Sequence, residues 1–131
     1  MRSITTFDST KRYIFLPIFL KTKDGTSYEF EAILDTGAPL TEFSDEALHF
    51  MGLLNYKNED VKLKPGFQTQ KYDKAIIPEI QICSQTIENL PVYVSHFEKS
   101  WGIKALIGLD FFRRFEVLIN YKLGEIVTRP L

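Results

Sequence analysis

The chain has 131 residues, the usual length of one domain, and its 44% hydrophobic and 14% aromatic content is enough to build a core. Its formal net charge of -1 excludes the basic face that phosphate binding demands, so no nucleic-acid partner is expected. Eleven Phe and six Tyr favour pleated, half-buried strands over helices.

In chain order, residues 13–22 alternate, with Ile14, Leu16, Ile18 and Leu20 on one face, and Pro17 marks an edge strand or a bulge. Lys23-Asp24-Gly25-Thr26 carries the Asp-Gly signal of a hairpin turn. The returning strand holds Tyr28, Phe30, Ala32 and Leu34 and runs directly into Asp35. Ser44 is an N-cap for a short helix with Asp45 and Glu46 in its first turn, Ala47, Leu48 and Met51 on its apolar side and Gly52 at its end. Residues 55–62 are polar and loop-like, the chain turns at Pro65-Gly66, and residues 67–72 return as a strand. Two more alternating runs, 75–83 and 87–95, meet at Ser84-Gln85. A loop over 96–104 carries the single tryptophan, Trp101. Asp110 is expected to cap a second short helix reaching Phe115, followed by strands at 116–121 and 125–128 around the turn Lys122-Leu123-Gly124. Many short strands, tight turns and two short helices make a mainly β chain, with no linker composition to divide it, so one domain is expected over 1–131. A faint duplication is visible: apolar strand, Gly-containing turn and short helix occur near Asp35 and again near Gly108.

Two segments carry the chemistry. Ile33-Leu34-Asp35-Thr36-Gly37-Ala38-Pro39 places a carboxylate between a buried strand and a tight turn, and Ala105-Leu106-Ile107-Gly108-Leu109-Asp110-Phe111-Phe112 repeats the pattern without the acid. Together, with Val117-Leu118-Ile119-Asn120-Tyr121 following, they resemble the retropepsin-like aspartic proteases over residues 28–128. The resemblance implies a closed acid-protease β-barrel with one or two short helices, and an aspartic endopeptidase that hydrolyses extended polypeptides. It also implies a homodimer, since Leu106-Ile107-Gly108-Leu109 offers no acid and each subunit must give one Asp35 to a shared site. In that frame Asp35 is catalytic. Thr36, Gly37 and Ala38 support the catalytic loop: Thr36 braces it through a hydroxyl, Gly37 lets backbone N–H groups approach the carboxylate, and Ala38 is small. Gly108 is the structural anchor of the second motif, and Gly66 and Phe67 form the tip of a flap. The mechanism calls for no metal and no other cofactor, and the partners implied are a second copy and a peptide or protein substrate. Asn120 departs from the family, which often has Asp there, and Pro39 departs from the acid common in viral members. A second reading remains open: a retropepsin-like module that binds peptides or dimerises but cleaves weakly or not at all.

Plainer readings stand beside these. Asp35 before Thr-Gly is also good turn chemistry, which the second motif outweighs. His49 and His96 lack the third ligand and tight spacing of a zinc motif, so no metal site is expected. Ser44, Ser84, Ser95 and Ser100 sit in no nucleophile elbow. Trp101 and Phe97 are read as packing under a loop or at the dimer contact. The lone cysteine, Cys83, falls in an apolar run and reads as a buried small hydrophobe; a chain with one thiol suits a reducing compartment. No apolar stretch nears 18 residues and residues 1–11 lack the apolar centre of a signal peptide, so the expectation is a cytoplasmic protein with no membrane partner.

Overall fold

The structure, a computed structural model, describes residues 2–54 and 71–131. Strand β1 is Ser3–Thr6, β2 Phe15–Lys21, β3 Ser27–Leu34 and β4 Glu42–Ser44; helix α1 is Asp45–Phe50. Strands β5 (Lys71–Ile82) and β6 (Gln85–Ser95) follow, then a 3-10 turn at Lys99–Trp101, β7 (Ala105–Ile107), α2 (Leu109–Phe112), β8 (Phe115–Asn120) and β9 (Glu125–Pro130). Six of these strands close a barrel in the order β2-β3-β7-β4-β6-β5, and the remaining three form a sheet in the order β1-β9-β8.

The alternation read from the sequence becomes the barrel interior. Leu16, Ile18 and Leu20 of β2 are buried, and they meet Ile77, Ile80 and Ile82 of β5 and Leu90, Val92 and Val94 of β6 in one core. Phe43 and Phe111 are the largest fully buried side chains. Full burial of side chains of this kind contributes about 1.5–3 kcal/mol each. Two of the three hairpins among the described residues, β2–β3 and β5–β6, show how turn chemistry sets them. At Asp24-Gly25, Gly25 takes φ +86 and the Asp24 carboxylate accepts the Thr22 hydroxyl and the Thr26 amide. Those bonds hold the Asp24 carboxyl below the usual carboxylate range. At the β5–β6 turn, Cys83 and Ser84 both adopt positive φ (+52 and +60), so the turn sits one residue earlier than Ser84-Gln85. The Ser44 hydroxyl accepts the Ala47 amide at 2.9 Å and caps α1, and Gly52 takes φ +75 just past its end.

Several expectations shift. The N-terminal residues 3–6, where the sequence predicts no element, form β1 and pair with β9 from Ser3↔Thr128 to Thr6↔Glu125. Pro17 creates no bulge in the β2–β3 ladder; the second neighbour, β5, joins β2 only from Ile18 onward, so the strand has a single partner at the proline. Asp110 is not the cap of the second helix: Gly108 occupies that position, Asp110 lies within the first turn, and the helix ends at Phe112, before β8 begins. The Gly66–Phe67 flap tip and the turn at Pro65 lie outside the described residues. No helix among the described residues is long and apolar enough to cross a membrane.

Cys83 ties the barrel to the three-stranded sheet, since its carbonyl accepts hydroxyls from Ser3 and Thr128. Burial pushes its thiol up, against a smaller opposing effect of the Thr5 hydroxyl. The fold therefore favours the protonated thiol: that contribution to stability is complete below the unfolded thiol's range and is lost as pH rises through the folded one. Only the thiolate attacks a disulfide reagent. Native protein at pH 8 should react with such a reagent at least about tenfold more slowly than urea-unfolded protein. Equal rates would show Cys83 exposed.

Candidate active site

Strand β7 lies between β3, to which it runs parallel (Leu34↔Ile107), and β4, to which it runs antiparallel (Glu42↔Leu106). The segment 35–41 joins β3 to β4 and so has to arch over the end of β7. The two halves of the sequence duplication therefore meet side by side, and Asp35 sits where the first strand leaves the barrel.

Backbone hydrogen bonds fix that arch at both ends. The Asp35 N–H donates to the Ile107 carbonyl at 2.9 Å, and the Leu109 N–H donates to the Ala38 carbonyl at 2.8 Å. Within the turn, the Ala38 N–H donates to the Asp35 carbonyl at 3.2 Å and the Gly37 N–H donates to Asp35 Oδ1 at 3.1 Å. The carboxylate is thus steered by its own loop. Asp35 is half-buried, Thr36 and Gly37 are exposed, and Ala38 is buried beneath them. Gly37 does not need a positive φ; it supplies room, because a Cβ there would stand 3.3 Å from Asp35 Oδ1. Among the described residues the Thr36 hydroxyl makes no hydrogen bond. Gly108 is buried under the arch, where a Cβ would meet the Ala38 carbonyl oxygen at 2.7 Å and Leu40 backbone atoms at 2.8 and 2.9 Å.

The second motif approaches Asp35 with a carbonyl and a glycine. Its one acid, Asp110, is occupied elsewhere: Oδ2 accepts the Thr41 N–H at 3.0 Å, and Oδ1 accepts the Thr41 hydroxyl at 2.8 Å and the Phe111 N–H at 2.9 Å. Thr41 is fully buried and was not singled out in the sequence; a threonine six residues after the aspartate carries no signal in one chain. His96 Nδ1 pairs with Asp45 at 2.9 Å and His49 Nδ1 lies 3.3 Å from the Leu54 carbonyl, so the two histidines do not converge. Among the described residues no group of three or more His, Cys, Asp or Glu is placed to hold a metal. Clefts of about 540 and 580 Å³ lie along Phe19, Tyr28 and Glu79 and along Asp24, Met51 and Ile76. Neither is lined by the Asp35 turn.

The arch over β7 thus has an acid at one foot and a glycine beneath it. The aspartyl protease family model matches residues 22–111, which span both the Asp35 turn and Gly108, and the chain belongs to that family. Its fold is similar to that of a retropepsin-like aspartic protease from Rickettsia conorii, with a TM-score of 0.68 at 13% identity over 98% of this chain and 89% of that one. It is also similar to the retroviral protease-like domain of Ddi1 from Leishmania major, with a TM-score of 0.56 at 14% identity over 92% and 96% of the two chains. No curated protein sequence matches the chain.

Proposed function

We propose that the chain, as one domain over 1–131, is a homodimeric aspartic endopeptidase in which Asp35 of each subunit lines one shared site. The observation that carries this reading is the contrast between the two motifs. Asp35 stands half-buried on an open turn, while Asp110, the acid of the second motif, is engaged by three donors. A complete site then needs a carboxylate from a second copy. A two-fold interface supplies it, because such an interface sets a residue against its own equivalent. The free Thr36 hydroxyl suits a role in bracing the partner's loop.

Two carboxylates about 3 Å apart repel by about 5 kcal/mol at an effective dielectric of 20. Such a pair holds a single proton over a wide pH range, the aspartic-protease dyad being the standard instance. The ionised Asp35 takes a proton from a water held between the acids as that water attacks the scissile carbonyl. The protonated Asp35 of the other subunit polarises the carbonyl oxygen and then passes its proton to the leaving nitrogen. The substrate is an extended peptide, hydrogen-bonded along its backbone like an added strand. A single buried thiol, Cys83, suits a reducing cytoplasm.

The test pairs sedimentation with cleavage of an unfolded casein substrate at pH 3–8. Specific activity should rise with protein concentration in step with the dimer fraction and be blocked by a statine-containing peptide. Activity per chain that is constant across a monomer–dimer transition would overturn the shared site. Tight binding of the statine peptide without cleavage would instead identify a peptide-binding module.

A further inference from the structure

We propose that Thr41 is a positioning residue for Asp35, acting through the Ile107–Gly108 peptide group; the proposal rests on the endopeptidase reading above. One peptide unit is gripped from both sides. Its oxygen, the Ile107 carbonyl, accepts the Asp35 N–H at 2.9 Å, and its nitrogen, the Gly108 N–H, donates to Thr41 Oγ1 at 3.2 Å. Rotation of that peptide plane would carry the Asp35 backbone with it. The Thr41 hydroxyl resists the rotation only if its lone pair faces Gly108. A hydroxyl has one proton to give, and Asp110 Oδ1 takes it at 2.8 Å, which turns the acceptor side toward the Gly108 amide. Asp110 Oδ2 also holds the Thr41 N–H at 3.0 Å, so the hydroxyl is fixed by its own backbone.

The chain of contacts therefore runs from Asp110 through Thr41 to the 107–108 peptide and on to Asp35. Bonds in series polarise one another, and each link here is half-buried or better. A small displacement at the end of this series falls on the carboxylate that has to meet its symmetry mate.

Thr41→Val keeps the shape and removes the hydroxyl. It leaves the Gly108 N–H unpaired and takes one donor from Asp110. We expect kcat to fall by about ten- to a hundredfold with KM within about twofold, since misplacement of reacting groups acts on the chemical step. We also expect the exchange protection of the Asp35 amide to drop by about tenfold, the size of effect an unmade buried hydrogen bond carries, with the Ile18 and Ile80 barrel amides unchanged. Thr41→Ser should restore both quantities. If Thr41→Val fails to fold, Asp110→Ala frees the hydroxyl without altering Thr41 and is expected to act in the same direction. Unchanged Asp35 exchange in the hydroxyl-less variant overturns the proposal whatever the activity. Altered exchange with unchanged kcat overturns it too. Wild-type protein that cleaves nothing counts against the endopeptidase reading, while the exchange measurement still decides whether Thr41 positions Asp35.

Discussion

Asp35→Asn is expected to lower peptide cleavage by about four orders of magnitude or more, the scale on which loss of a directly reacting side chain acts. The substitution is nearly isosteric. The Asn side-chain oxygen can still accept the Gly37 N–H that Asp35 Oδ1 accepts, and the backbone bond to the Ile107 carbonyl is untouched. Fold and dimer should persist, because what is removed is the capacity to accept and return a proton. The proposed two-chain site makes a second, sharper expectation. When Asp35→Asn protein is titrated into a fixed amount of wild type, mixed dimers form that contain a single acid. Activity should then fall as wild-type chains are drawn into mixed dimers, although no wild-type chain has been removed. A site complete within one subunit would show no such suppression. Measured cleavage that ignores the added variant, under conditions where subunits exchange, would therefore overturn the two-chain site even if Asp35 itself proved essential.

What could be read in the sequence was whatever local chemistry decides. The Asp24-Gly25 turn, the Ser44 cap and the Leu16, Ile18, Leu20 stripe depend on residues within a few positions of one another, and each forms where its residues place it. The two anchors around Asp35 and Gly108 were legible because a family pattern spans them. The elements that were missed are those defined by distant partners. Strand β1 has one apolar residue, Ile4, which is exposed, so no buried stripe announces it, and it pairs because β9 offers it a ladder; β4 is three residues long and is held by β6 and β7. Asp110 was read as a helix cap because its nearest helix was the only partner visible in the sequence. In the fold its carboxylate reaches Thr41, 69 residues away. The same blindness hid Thr41, whose hydroxyl acquires a role only when the arch brings it to Gly108.

Gly108→Ala should be among the most destabilising single-methyl additions to this chain. Gly108 has φ -105, an extended conformation open to any residue, so backbone strain is not the cause. Space is. The added carbon would lie 2.7 Å from the Ala38 oxygen, 2.8 Å from the Leu40 carbonyl carbon and 2.9 Å from its oxygen. All three are backbone atoms of the arch, and none can swing aside as a side chain would. The Leu109 N–H bond to the Ala38 carbonyl leaves the arch little room to rise. Overpacking of this kind costs about 1–3 kcal/mol, and three backbone contacts place it at the upper end. Such a loss is a large share of the 5–15 kcal/mol, roughly, that holds a typical domain together. Gly52→Ala is the matched control. Its φ of +75 disfavours a side chain, but nothing lies within 4 Å of the added carbon. That change should cost about 1–2 kcal/mol, from left-handed backbone strain alone. Urea unfolding of the two variants separates crowding from strain: a midpoint for Gly108→Ala no lower than that for Gly52→Ala, at equal m-value, would mean that the arch does not rest on the glycine. If the arch does rest there, whatever Gly108→Ala protein remains folded should also have lost cleavage, since the only way to admit the methyl is to lift the segment that carries Asp35.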